Sequence, residues 1–198
     1  MITIRKSNFD DKKDFAELML ISASFFPTLF SERIKDILQE LFCYRFNLFS
    51  FEHVLFAEID GEKAGMILGY DWQTKKRENL RTGFLLFKKI GVSILRKLTP
   101  LIKFNAMVGK LNNGEYYISN IASYPKFRGI GVGKRLMFEA EHEAKMVSTE
   151  KIVLDVEKDN IGAITFYEKL GYETIKEFSI SLQKNKILYF NRMTKEVR

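Results

Sequence analysis

YPKFRGIGVGKRL, residues Tyr124–Leu136, sets Gly129, Gly131 and Gly133 at alternate positions and then runs into a helix-like stretch. Upstream, EYYISNIASYP reads as a strand. Downstream, Leu136, Met137, Ala140 and Ala144 fall on one side of a helix predicted from about Gly133 to Val147. A glycine-rich turn between strand and helix lets backbone amides converge on an anion, and the helix N-terminus adds partial positive charge. Two familiar phosphate motifs fail on spacing. A dinucleotide fingerprint needs glycine where Lys134 stands. A Walker loop needs glycine at Arg128 and Ser or Thr at Arg135. What remains is Arg128-x-x-Gly131-x-Gly133 with Lys126, Lys134 and Arg135 around it. The loop alone also fits a tight turn with a solvated basic rim.

Outward from the loop, hydrophobic periodicity sets the order of elements. Ile2 and Ile4 alternate with polar residues as a first strand. In KKDFAELMLISASFF, Phe15, Leu18, Met19 and Ser22 follow helical spacing. Ser31 is placed to N-cap a second helix carrying Ile34, Ile37, Leu38 and Leu41. Asp60-Gly61 between apolar runs predicts a hairpin with a type I′ turn. After the loop helix, KIVLDVE reads as a strand, and IGAITFYEKL as a helix capped by Asn160 and ended by Gly171. TIKEFSISL and KILYFNRM close the chain as strands around QKNK. This order specifies a mixed α/β sheet.

The chain has 198 residues, 46% hydrophobic and 29% charged, without a Gly/Ser linker or repeat, so a single domain over residues 1–198 is expected. Net charge +7 suits an anionic ligand, nucleic acid or an acidic surface and selects none of them. Cys43 is the one cysteine, which excludes an internal disulfide and a CxxC zinc pair. Its apolar setting, LQELFCYRF, predicts a buried thiol. The start, MITIRKSNFDDKK, has no apolar h-region, and no apolar run approaches the ~18 residues of a membrane span. A reduced, cytoplasmic setting is the expectation.

The glycine loop resembles the GNAT family of N-acetyltransferases, whose signature is Arg/Gln-x-x-Gly-x-Gly/Ala after a strand. NIGAITFYEKLGY, residues 160–172, is similar to that family's second motif, Asn-x-x-Ala-x-x-Phe/Leu-Tyr-x-x-x-Gly-Phe/Tyr. The likeness covers residues 115–194 well and residues 1–70 more loosely. It implies a mostly antiparallel central sheet flanked by helices, with acetyl-CoA as co-substrate and no metal. By this resemblance Arg128, Gly129, Ile130, Gly131, Val132, Gly133 and Lys134 hold the pyrophosphate. Ile121, Ala122 and Ser123 offer main-chain contacts to the pantetheine near the thioester, and Asn160 either touches the pantetheine or only caps its helix. Tyr167 is the implied acid, since a phenol of pKa ~10 is protonated at neutral pH and can donate to a thiolate of pKa ~8–9.

The implied reaction is direct attack of a neutral amine on the acetyl carbonyl in a ternary complex. Candidate bases are Glu115 and Glu58, although such positions more often carry solvated strand-end or surface carboxylates. His142 reads as a surface residue, and His53 has no evident partner. The acceptor is a small-molecule or peptide amine. Asn120-Ile121-Ala122 resembles the branch that acetylates protein N-termini, notably of ribosomal proteins. A basic RNA- or membrane-surface module is the rival class. Nucleic acid is not expected, because the aromatics lie in apolar, core-like segments rather than among exposed cations.

Residues 72–114 depart from the family, which joins hairpin and loop-bearing strand by a short turn. This insert carries Lys75, Lys76, Arg77, Arg81, Lys88, Lys89, Arg96, Lys97, Lys103 and Lys110 against the acid Glu78. Phe84, Phe87, Gly91, Ile94, Leu95 and Leu98 fall on one helical face, with Lys88, Lys89, Arg96 and Lys97 elsewhere. A helical cover over the amine side of the site is expected, its cations favouring an acceptor with anionic character. A solvated excursion and a membrane-surface helix are the alternatives.

Overall fold

Asp60 and Gly61 both take positive φ, 50° and 82°, so the hairpin between β2 (Val54–Ile59) and β3 (Glu62–Asp71) closes through the turn that its Asp-Gly pair favours. This hairpin belongs to a computed structural model that describes residues 1–91, 98–183 and 186–197. Seven strands form one sheet in the order β1-β2-β3-β4-β5-β7-β6. The others are β1 (Ile2–Lys6), β4 (Glu115–Ser123), β5 (Lys151–Glu157), β6 (Glu173–Gln183) and β7 (Lys186–Glu196). Every pairing is antiparallel except β4 with β5.

Helices cover both faces, which is why the centre of β3 is buried continuously rather than at alternate positions. On one face α1 (Lys12–Ser22) and α3 (Ile34–Cys43) pack Phe15, Leu18, Met19, Leu38 and Phe42 against Phe56, Met66 and Leu68. On the other, α6 (Val132–Met146) sets Leu136, Met137 and Ala140 against Ile67, Ile118 and Leu154, with α7 (Ile161–Lys169) beside it. The first helix stops at Ser22, and Phe26–Leu29 forms a separate short turn, α2. Ser31 does not cap α3. Arg33 holds that position, and Ser31 Oγ accepts the Arg33 amide at 3.0 Å in the turn before it. Cys43 is a free thiol packed half-buried against the first core.

The feature that opens the sheet lies between β4 and β5. They pair only from Glu115–Lys151 to Ile118–Leu154, whereas β4 stays paired with β3 out to Ser123. Leu68 faces Asn120 and Gly69 faces Ile118, so Ser119 is an extra residue that bulges β4 at the divergence. The β5-facing edge of Ser119–Ser123 is therefore unpaired.

The insert begins without a loop: Asp71 ends β3 and caps α4 (Trp72–Ile90), its Oδ1 accepting the Thr74 amide at 2.9 Å. The described phenylalanines of its expected apolar face, Phe84 and Phe87, are exposed by about half or more, and the helix docks through other residues. Phe84 is 64% exposed, whereas Glu78 and Thr82 are buried and Leu85, Leu86 and Ile90 are half-buried against the core. Thr82 Oγ1 accepts the Leu48 amide at 2.9 Å, and Glu78 meets His53 Nε2 at 2.7 Å. Polar contacts with the segment before β2 thus fix the helix rotation. Ile94, Leu95, Arg96 and Lys97, the side chain of Leu98 and the middle of the QKNK turn lie outside the described residues. α5 (Leu98–Met107) follows and packs over β6.

Candidate active site

The splay between β4 and β5 opens into a cavity of about 1150 Å³. The glycine loop forms one end. Gly129 and Gly131 take φ of 79° and 97°, left-handed values that suit residues without a Cβ. Gly131 is the N-cap of α6, and Arg135 N–H donates to its carbonyl at 3.0 Å. The amides of Val132, Gly133 and Lys134 therefore have no partner within the helix. A Cβ on Gly133 would stand 3.3 Å from the Phe166 ring, so the loop–α7 approach leaves little room for a side chain there. This concave, amide-rich turn fits a pyrophosphate.

Of the residues singled out from sequence, Ile121, Ala122, Ser123, Arg128, Gly129, Gly131, Val132, Gly133, Lys134, Asn160 and Tyr167 line this cavity. Ile130 is exposed and does not. Asn160 Oδ1 caps α7 by accepting the Ala163 amide at 3.2 Å while also facing the cavity. Tyr167 is buried between Phe166 and Tyr172, and its hydroxyl has no hydrogen-bond partner among the described residues. Burial pushes its pKa up, so it holds its proton until a strong base reaches it. Lys126 is drawn off to Glu62, and Arg135 lies over the Phe138 ring.

None of the candidate bases from sequence reaches the cavity wall. Glu58 pairs with Arg5, Glu115 accepts from Asn112, His53 pairs with Glu78, and His142 is exposed. The carboxylates that do line it are Asp155 and Glu157 of β5. Sequence held a signal for both. In KIVLDVE they share the face opposite Leu154 and Val156, where a strand covered on both sides should carry apolar residues.

Asp155 is fully engaged. Arg192 of β7 grips it in a fork, Nε to Oδ1 and Nη2 to Oδ2, each at 2.8 Å. The Gly109 amide and the Tyr117 hydroxyl donate to Oδ2 at 2.7 and 3.2 Å. Arg192 also donates to the Met107 and Lys110 carbonyls, tying the end of the insert to the sheet.

Away from the loop the cavity turns aromatic. Phe25, Phe26, Phe30, Phe49, Phe104 and Phe190 line it, roofed by Leu86 and Phe87 of α4 and Leu101 of α5. Its floor has a short polar chain: Ser119 Oγ donates to Asn120 Oδ1, and Asn120 Nδ2 to Ser22 Oγ, both at 2.8 Å. Among the described residues Lys75 is the insert cation on this wall; it donates to the Gly109 carbonyl, and burial together with Arg192 pushes it down to about 8. Lys88 points to solvent and Lys89 pairs with Glu40. The insert does cover the cavity, but these two cations face away from it. They supply no reason to expect an anionic acceptor.

The arrangement has counterparts. Segments of the chain are 38% identical over 63 residues to GCN5-related N-acetyltransferase 4, chloroplastic, of Arabidopsis thaliana, covering 32% of this chain and 22% of that protein. An N-alpha-acetyltransferase of Sulfurisphaera tokodaii is 28% identical over 122 residues, 61% of this chain and 56% of that one. The chain thus spans roughly a fifth to a half of these relatives. The crystal structure of an N-acetyltransferase from Staphylococcus aureus superposes with a TM-score of 0.69 over 98% of this chain and 100% of its own, at 19% identity, a likeness of fold. The model of the acetyltransferase (GNAT) family matches residues 15–172, and the chain belongs to that family.

Proposed function

We propose that the chain, acting as one domain, is an acetyl-CoA-dependent N-acetyltransferase that joins donor and primary amine in a ternary complex. The observation that carries this reading is the splayed β4 edge opening beside a glycine-capped helix N-terminus in one cavity with Tyr167. In it, the amides of Gly129–Lys134, with Arg128 and Lys134, hold the co-substrate's pyrophosphate. The unpaired edge of Ile121–Ser123 takes the pantetheine as an added strand, and Asn160 borders that arm. The bound co-substrate supplies an activated acetyl group. The protein orients it against the amine and excludes water with α4 and α5. Tyr167 gives its proton to the departing thiolate, a task for which a phenol kept protonated by burial is suited.

The amine arm is separate from the loop, so donor and acceptor can be held together and attack can be direct. A relative named as an N-alpha-acetyltransferase supports a peptide N-terminus as one acceptor class. Among the described residues no helix is long and apolar enough to cross a membrane. Calorimetric titration with acetyl-CoA, followed by a thiol-release screen over amines and short peptides, tests the reading. Binding with amine-dependent thiol release supports it; a folded protein that binds no acetyl-CoA rejects it.

A further inference from the structure

The sheet register places one carboxylate where the amine must arrive. In the parallel β4–β5 pair, Glu115 faces Lys151 and Ile118 faces Leu154. Continued past the divergence, that register sets Glu157 level with Ile121, or with Ala122 once the extra Ser119 is taken up. Those are the residues assigned to the thioester end of the donor. Glu157 lines the same cavity, on the face of β5 shared with Asp155. Asp155 has both oxygens committed to Arg192, Gly109 and Tyr117. Glu157 carries no ion pair or side-chain hydrogen bond among the described residues. We propose that Glu157 receives the acceptor's ammonium group and takes its proton, and that the acceptor is a primary amine borne on an aromatic or aliphatic body.

The second half follows from the walls. The phenylalanines around the far arm offer dispersion and apolar burial, and among the described residues no free carboxylate stands there to meet a second cation. A polyamine would leave its remaining ammonium groups desolvated and facing Lys75. An amine with one charge and an apolar body leaves none unpaired. The surroundings of Glu157 suit a proton acceptor. Burial raises its pKa and Asp159 beside it raises it further, while Lys186 of β7 opposes them. Asp155 on the same strand is offset by Arg192; among the described residues the other charges lining the cavity are Lys75 of α4, Lys169 of α7, and Arg128 and Lys134 of the glycine loop. A carboxylate so raised is a better base than an exposed one.

The step balances. The ammonium proton passes to the Glu157 carboxylate, and the freed nitrogen pair forms the C–N bond at the acetyl carbon. The C–S bond breaks, and the thiolate takes the Tyr167 proton. The acylated nitrogen still carries one proton more than the amide; it passes that proton through water to the Tyr167 phenolate, and Glu157 releases its own proton to solvent.

This inference rests on the acetyltransferase reading, and the experiment separates the two. Wild type, Glu157→Gln and Glu157→Asp are compared with phenethylamine, hexylamine and spermidine from mildly acidic to alkaline pH, with acetyl-CoA affinity measured for each. Wild type should favour the two apolar amines over spermidine by about tenfold or more in kcat/KM. Glu157→Gln should bind acetyl-CoA normally yet lose about 10²-fold in kcat/KM near neutrality. Its loss should shrink as pH climbs and free amine forms in solution. The acidic limb that Glu157 imposes on wild type should vanish in Glu157→Gln and persist in Glu157→Asp. A wild-type rate and pH profile in Glu157→Gln overturns the proton-acceptor role. A preference for spermidine overturns the apolar body. A wild type that neither binds acetyl-CoA nor releases thiol overturns the acetyltransferase reading, and this one with it.

Discussion

At Gly131 the chain turns with φ of 97° and starts a helix in the same residue, which concentrates the demands of the loop in one backbone unit. A Cβ there meets only Ile2 Cδ1, at 3.9 Å, so the cost of Gly131→Ala is conformational, about 1 kcal/mol. At Gly133 the cost is steric, because Phe166 stands 3.3 Å from the added carbon. Gly131→Ala and Gly133→Val should each leave a folded protein whose acetyl-CoA affinity drops tenfold or more, about 1.4 kcal/mol. Unchanged calorimetric affinity in a folded Gly133→Val protein would remove the loop from the donor site. Tyr167→Phe asks a different question, since it keeps the ring and deletes the proton. Donor affinity should hold while kcat falls about 10²-fold. A change confined to KM would make Tyr167 a positioning residue instead.

At the scale of elements, the loop and α7 were legible in the sequence and the docking of α4 was not, for a physical reason. Glycine spacing, an Asn cap and heptad-like apolar periodicity act within a dozen residues, so a local reading finds them. The rotation of α4 is set by a segment far away in sequence: the Leu48 amide bonds Thr82, and His53 bonds Glu78. Periodicity pointed to Phe84, but a helix anchored through buried polar residues need not bury its most apolar stripe. Thr82→Val keeps the shape and removes the acceptor, leaving a buried Leu48 amide unpaired. Urea unfolding should show a loss of about 1–3 kcal/mol, with faster amide exchange at Leu48. Equal stability would mean that other contacts hold α4. Because Lys88 and Lys89 face away from the cavity, replacing both by alanine should leave acceptor KM within about twofold, as expected for surface charges. A large rise in KM would restore them to the acceptor path.

For the whole molecule, strand order and the two-sided sheet could be read from periods of two and of about 3.6 residues, whereas the splay and its bulge could not. No residue type announces where a parallel pair stops, and Asp155 and Glu157 gain their meaning only from that opening. A second long-range arrangement of this kind holds the opposite edge of the sheet. Asp11, at the start of α1, is buried and receives Arg5 Nη1 of β1 at 2.7 Å, Lys63 of β3 at 3.0 Å and the Asn8 amide at 2.8 Å. Burial by itself would raise the Asp11 carboxyl, but the hydrogen bonds from Arg5, Asn8 and Lys63 outweigh it and hold the pKa at about 2. In the unfolded chain the same group titrates near ~3.9. The folded state therefore binds this proton less readily, and the contribution is fully present above about pH 4. It is lost as pH falls from there through the folded value, an amount of about 2 kcal/mol. Asp11→Asn removes both the charge and its pH dependence. The variant should be less stable than wild type at neutral pH, and the gap should close as denaturant midpoints are followed down toward the folded pKa. A gap that stays constant across that window would show that Asp11 acts through its shape and amide contact, not through its charge.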